Sequence, residues 1–187
     1  DTWRRAGADG FLGASAPVEY GGAGADFLYD AIIMEEMAWI RAHAMMISLH
    51  SDICMPYLIS YGNEQQKRKY LPRLATGEIT GCLAVTEPEA GSDLLGGLAT
   101  TAVEDGDHYV LNGTKRYVTN APLADIFTVL ARSDPENKGG SGTTSFIVER
   151  GTPGLSAGPE HKKMGQEGSP VSEVYFRDCR VPKSAVL

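Results

Sequence analysis

At Ile79 the spacing of apolar residues changes from helical to alternating, and this change constrains the fold more than any other feature of the chain. Upstream, apolar residues recur every three or four positions. Downstream, short segments rich in Val, Thr, Ile, Tyr and Phe alternate with turn residues. The pattern predicts an α+β molecule: a partial amino-terminal helical bundle over residues 1–78, followed by an all-β, barrel-like domain over 79–187.

In the helical part, Asp26 is the expected N-cap of a helix through FLYDAIIMEEMAWIRAHA, with Leu28, Ile32, Glu35/Glu36 and Trp39 marking apolar and polar faces. AMMISLHSDICMPYLISYG stops at Gly62, a natural C-cap. Asn63 and Gln66 form a capping-box pattern opening NEQQKRKYLPRLATG, which Pro72 is expected to end or kink. In the β part the expected strands are ITGCLAVT, LATTAVE, HYVLN, TKRYVTN, DIFTVLAR, TTSFIVER and SEVYFRDC, separated by turns such as EDGD and NG. Residues 133–142 and 151–168 read as long polar loops.

The net charge of -7, from 17 Lys and Arg against 24 Asp and Glu, argues against nucleic acid or an anionic membrane as partner. Cys54, Cys82 and Cys179 are an odd number without CxxC spacing, so neither a disulfide framework nor a zinc site is expected. No apolar run approaches the roughly 20 residues of a membrane helix, and DTWRRAGADG lacks a signal-peptide pattern. A soluble chain in a reducing, cytoplasmic compartment (the mitochondrial matrix if eukaryotic) is expected, cut from something longer.

Three familiar constellations fail. YGGAG (20–24) lacks the third glycine of GxGxxG and follows no strand, which makes it a helix-entry loop. His43 and His50 lie seven apart, whereas metal-binding helices use a four-residue spacing; no metal is expected. No Ser/His/Asp set announces itself: Ser156 in GLSAG (154–158) matches GxSxG but falls in a polar loop rather than on a strand-to-helix turn.

Two tracts remain, VTEPEAGSD and NGTKRYVTN. Tyr117 and Thr119, two apart on a strand, are expected on one face, an aromatic wall beside a hydroxyl that suits a flat heteroaromatic ring. Thr86 stands at a strand end, and Gly91 and Ser92 offer N–H groups and a hydroxyl to a phosphate. Together they describe a site for a ring joined to a pyrophosphate; the alternative is exposed turns and ordinary strand aromatics.

LAVTEPEAGSD, TTA (100–102), YVLNGTKRYVTNA (109–121) and FRDCRVP (176–182) closely resemble the acyl-CoA dehydrogenase family. APVEYGGAG and YGNEQQKRKYLPRLATGE are similar to its amino-terminal helical domain. The resemblance implies a helical domain and a middle β-domain with FAD as cofactor, and a carboxy-terminal helical domain absent from this chain. It implies that Leu83, Val85 and Thr86 line the pyrimidine edge of the flavin, that Gly91 and Ser92 meet the pyrophosphate, and that Ser92 and Ser141 contact acyl-CoA. Tyr117 stands where the family most often has tryptophan against the flavin face, with Val118 beside it, and Thr119 would hydrogen-bond near N5. Glu87, Glu89 and Asp93 would set turn geometry and caps.

The family reaction removes an α-proton from an acyl thioester with a glutamate while the β-hydrogen leaves as hydride to FAD, giving a 2-enoyl-CoA. That glutamate belongs to the carboxy-terminal helices, so residues 1–187 alone are expected to be inactive. Implied partners are acyl-CoA, an electron-transfer flavoprotein as acceptor, and further copies of the subunit in a dimer or tetramer. Alternatives on the same scaffold are an acyl-CoA oxidase, a flavin monooxygenase, or a non-catalytic module that binds acyl-CoA or a protein. Two departures stand out: LLGGLA (94–99) is about one residue longer than the family pattern, expected as a bulge, and Glu167 in KMGQEGS replaces a common arginine.

Overall fold

The computed structural model describes residues 2–42 and 45–187. The chain forms two compact units, residues 1–82 with 162–169, and residues 83–161 with 170–187.

The first unit contains α1 (Thr2–Ala8), α2 (Phe27–Trp39), a π-helical stretch (Leu49–Cys54) running directly into α3 (Met55–Tyr61), and α4 (Glu64–Ala75). Local chemistry sets the helix starts. The Asp26 carboxylate accepts from the Leu28 N–H at 2.9 Å, and Asn63 and Gln66 close a reciprocal capping box at 2.9 Å in each direction. Gly62 follows α3, but in extended conformation (φ -65) rather than the left-handed one, so its role is to end the helix without αL geometry. Pro72 does not end α4, which continues to Ala75. The proline removes one intrahelical bond close to the helix end, where few bonds remain to be lost.

In α2 the expected buried face is not buried. Leu28, Ile32 and Trp39 are exposed, and the buried residue is Asp30. Only Asp30, Glu35 and Glu36 interrupt an otherwise apolar sequence, so no single stripe selects the inward face. The YGGAG tract is a close-packed entry to this helix. A Cβ on Gly22 would come within 2.1 Å of the Ala16 carbonyl oxygen, so only glycine fits there.

His43 lies outside the described residues. His50 is fully buried as a neutral core residue: Nε2–H donates to the Leu74 carbonyl (3.1 Å) and Nδ1 accepts from the Gly81 N–H (3.2 Å). Among the described residues no group of three or more His, Cys, Asp or Glu is arranged to hold a metal ion.

Burial pushes the His50 pKa down to about 4, while burial and the neighbouring Asp30 carboxylate push Asp52 up to about 6. The two act oppositely on stability. Neutral His50 stabilises the fold fully above about pH 6.5, and that contribution drains away as pH falls toward 4. Protonated Asp52 stabilises the fold below about pH 3.8, and that contribution is lost as pH rises through 6. The His50 shift corresponds to about 3 kcal/mol, and the partly buried, solvent-screened Asp52 offsets a portion of it in wild type. Asp52→Asn should remove the compensation, with thermal melts by circular dichroism showing a steeper loss of stability between pH 6.5 and 4 than wild type. Parallel pH profiles would contradict this account.

The second unit is built on β1 (Gly81–Ala84, shared at the division between the units), α5 (Leu94–Gly97), β2 (Thr101–Asp105), β3 (His108–Thr119), β4 (Ile126–Arg132), β5 (Thr143–Glu149), β6 (Leu155–Ala157) and β7 (Val171–Pro182). The sheet order is β1-β4-β2-β3-β7-β6, with β5 on β4. β1 and β6 are not neighbours, so the sheet is a curled half-barrel rather than a closed barrel. β2 and β3 form a tight hairpin with Asp105 opposite His108, and β3 and β7 pair along most of their twelve residues. Leu111, Phe127, Val129, Phe146, Val174 and Phe176 are buried in its core, each stabilising the fold by roughly 1.5 to 3 kcal/mol.

Three expectations change here. HYVLN and TKRYVTN are one strand, because Asn112-Gly113 is an irregularity inside β3 and not a turn. The loop over 151–168 contains β6, whose three residues are too few for alternation to reveal. The first four residues of LLGGLA form the short helix α5, N-capped by Asp93, rather than a bulge. All three cysteines are free and buried. Among the described residues no helix is long and apolar enough to cross a membrane.

Candidate functional site

The chain leaves β1 at Ala84, passes through Val85 and Thr86, and turns tightly at Glu87–Ala90, where Glu87 and Ala90 exchange both backbone hydrogen bonds (3.0 and 3.2 Å). It then exposes Gly91 and Ser92 before Asp93 caps α5. This segment is fastened to β3. The Arg116 N–H donates to the Thr86 carbonyl (2.8 Å), and the Lys115 ammonium donates to the Val85 carbonyl (3.1 Å) and to Glu87 Oε1 (2.8 Å). Glu87 in turn accepts from the Ala99 and Thr100 N–H groups at 2.7 and 2.9 Å. Both partners of the ion pair are almost wholly buried.

Electrostatics in this pair balances burial against contact. Burial alone would raise the Glu87 carboxyl, but hydrogen bonds from Lys115, Thr100 and Ala99 outweigh it and leave the group below its ordinary value. Burial lowers Lys115, and Glu87 restores part of the loss. Glu87 is therefore a structural carboxylate, as is the capping Asp93. Glu89 is exposed.

The last residues of β3 depart from plain pleating. Lys115 and Val118, three apart, are both buried, an odd spacing produced by a bulge in the pairing with β7. Tyr117 occupies it with φ +56, and Asn120 just beyond has φ +66. Such left-handed backbone costs about 1 to 3 kcal/mol per residue and concentrates at functional positions. The period-two reading is thus broken at Tyr117, which is exposed within the bulge, while half-buried Thr119 follows the buried Val118 beyond it. The Tyr117 ring is 60% exposed, with the Arg116 guanidinium 4.9 Å from its centroid and the His161 ring 5.8 Å away.

The structure therefore brings Val85 and Thr86 beside the strand that carries Tyr117, Val118 and Thr119. The Val118 side chain lies in the core, so only its backbone is available to a ligand. Leu83 is half-buried near the end of β1. Ser141 sits on a separate loop and accepts from the Asn137 amide at 2.8 Å. That loop is joined to the segment after Ser92 by Arg132, a buried guanidinium that donates to the carbonyls of Leu95 in α5 and of Asn137. Sequence reading missed both Lys115 and Arg132, since a basic residue in a strand signals solvent unless its partners are known.

The polar groups here suit a ligand that is part ring and part anion. Among the described residues the Thr86, Ser92 and Thr119 hydroxyls, and the Gly91 and Ser92 N–H groups, have no hydrogen-bond partner within the chain. The Asn120 amide is buried with both its oxygen and nitrogen unpaired, next to Thr119. Buried amides left open in this way are filled by water or ligand. Donors for a pyrophosphate and a flat ring's edge, beside an exposed aromatic ring, fit a flavin dinucleotide.

A helical unit joined to a half-barrel that presents such a donor set defines a cofactor-binding scaffold. The chain belongs to the acyl-CoA dehydrogenase family: the N-terminal domain of that family matches residues 1–78, and its middle domain residues 82–179. The chain is 43% identical over 190 residues to the mitochondrial isovaleryl-CoA dehydrogenase of Pongo abelii, covering 99% of this chain and 44% of that protein. The crystal structure of an acyl-CoA dehydrogenase from Geobacillus kaustophilus superposes with a TM-score of 0.95 at 42% identity, over 100% of this chain and 49% of that one. An acyl-CoA dehydrogenase from Bacillus anthracis, crystallised in complex with FAD, matches with a TM-score of 0.89 at 42% identity, over 99% of this chain and 32% of that one. The chain thus spans less than half the length of the curated relatives it matches.

Proposed function

We propose that residues 83–92 and 117–119 hold the flavin and pyrophosphate of FAD, and that the protein carrying this chain removes two hydrogens from an acyl-CoA thioester to give a 2-enoyl-CoA. The observation that supports the reading is the fastening of the Val85–Thr86 segment to β3 at Lys115 and Arg116, next to exposed Tyr117, on a stretch whose Thr86 and Ser92 hydroxyls are open. Bound FAD would supply the hydride acceptor. This chain's own residues bind and orient: Leu83, Val85 and Thr86 address the ring's polar edge, Tyr117 its face, Thr119 its reacting side, and Gly91 and Ser92 the pyrophosphate. Ser92 and Ser141 are assigned to the acyl-CoA, with an electron-transfer flavoprotein as acceptor and a dimer or tetramer as the working assembly. No base is assigned within residues 1–187; the family resemblance places a glutamate in the carboxy-terminal helices, and the isolated segment is proposed to be inactive.

The test is to purify the longer protein, measure its flavin absorbance, and follow dye reduction and oxygen consumption with acyl-CoA substrates. Dye reduction without oxygen uptake is the expected result; rapid oxygen uptake would make it an oxidase or monooxygenase, and a colourless protein with no affinity for FAD would overturn the reading. Ser92→Ala removes one exposed hydroxyl but keeps the backbone N–H groups. It should weaken FAD or acyl-CoA binding by about 1 kcal/mol, roughly fivefold, in titration calorimetry. Unchanged affinity for both ligands would remove Ser92 from the site.

A further inference from the structure

We infer that the buried Lys115–Glu87 pair is a positioning device, holding the Val85–Thr86 segment at one fixed angle to the Tyr117–Thr119 bulge before any cofactor arrives; this rests on the flavin reading above. A packing role alone does not explain it. A buried ion pair is often replaceable by apolar side chains of similar volume without loss of stability, so what this pair adds over such packing is the fixing of one arrangement over others. The bonds describe such an arrangement. Two successive carbonyls at the exit of β1, those of Val85 and Thr86, are taken by two successive residues of β3, Lys115 through its side chain and Arg116 through its N–H.

Glu87 ties a third segment to the same point through the Ala99 and Thr100 N–H groups. Gly113, two residues before Lys115, permits that approach, since a Cβ there would lie 2.4 Å from Thr100 Oγ1 and 2.7 Å from its Cα. Three separate stretches therefore converge on one buried ion pair. Two of them, 85–87 and 115–116, carry or adjoin residues assigned to the flavin, yet neither Lys115 nor Glu87 has surface with which to touch it. The pair acts through Val85, Thr86 and the bulge, and its removal should disturb cofactor geometry out of proportion to folding.

The test separates these two effects in the full-length protein. Lys115→Met leaves the Glu87 carboxylate buried without its cation, and is expected to lower both the melting temperature and the affinity for FAD. The double variant Lys115→Met with Glu87→Gln removes both charges, and the amide oxygen keeps one of the two bonds from the Ala99 and Thr100 N–H groups. Its melting temperature should return most of the way to wild type, whereas FAD binding stays weaker by about tenfold or more and the visible flavin band remains altered. A double variant with wild-type affinity and spectrum would overturn the proposal. Should these variants fail to fold, amide hydrogen exchange on the wild-type apoprotein decides. Protection of the Ala99, Thr100 and Arg116 amides before FAD is added is expected, and protection that arises only with FAD would overturn preorganisation. A wild-type protein that takes up no FAD under any condition would instead overturn the flavin reading itself.

Discussion

Thr119→Val in the full-length protein should slow flavin reduction by acyl-CoA about tenfold to a hundredfold while leaving flavin retention nearly unchanged. The residue stands at the end of β3 beyond the bulge, half-buried beside Val118, with its hydroxyl unpaired within the chain among the described residues. Valine keeps the shape and the β-branching, so the strand end should hold. What disappears is one hydrogen bond, assigned by family resemblance to the reacting side of the flavin. A bond to a group that gains charge during reaction is worth about 1.5 to 3 kcal/mol, and each 1.36 kcal/mol is roughly tenfold in rate. In the ground state the same bond counts for much less, which is why rate and retention should separate. Stopped-flow traces of flavin reduction are the measurement. Unchanged traces would take Thr119 out of the site, and a matching loss of bound flavin would make it a binding residue rather than a reactive one.

How much of this site was legible in the sequence depends on the reach of each interaction. Asp26, Asn63 and Gln66 act within three residues of themselves, and their caps read directly from the chain. The alternation after Ile79 likewise announced strands, because each strand's periodicity is its own property. Bulges and long-range pairs are different. The bulge at Tyr117 is defined by its register against β7, whose residues lie more than fifty positions away, so nothing local to NGTKRYVTN distinguishes it from a plain strand. Lys115 reads as a solvated charge until Glu87, 28 positions earlier, is placed against it. Arg132 is hidden in the same way, since its partners are backbone carbonyls that no side chain advertises. In α2 the difficulty is opposite: too many apolar positions, not too few, left the inward face undetermined.

These long-range fastenings also bear on what residues 1–187 can do by themselves. Produced alone, this segment should fold, bind FAD on the order of a thousandfold more weakly than the longer protein, and reduce no dye with any acyl-CoA. Its contacts support folding: the sheet pairs β3 with β7 along most of their length, and Lys115 and Arg132 tie the loops to it from within. The cofactor is another matter. The proposed site would address the ring and the pyrophosphate, and the adenosine end is proposed to be held by parts of the longer protein outside residues 1–187. Losing contacts worth about 4 kcal/mol weakens a dissociation constant by nearly a thousandfold, enough to strip FAD during purification. The base is assigned to the same region, so added FAD would not restore turnover. The bare segment also carries an apolar surface on α2, with Phe27, Leu28 and Ile32 exposed and Trp39 76% exposed. Patches of that kind drive association, so light scattering should report dimers or larger species where the longer protein gives one defined assembly. Dye reduction by the isolated segment with octanoyl-CoA or a similar thioester would place the base within residues 1–187 and overturn the division of labour argued here.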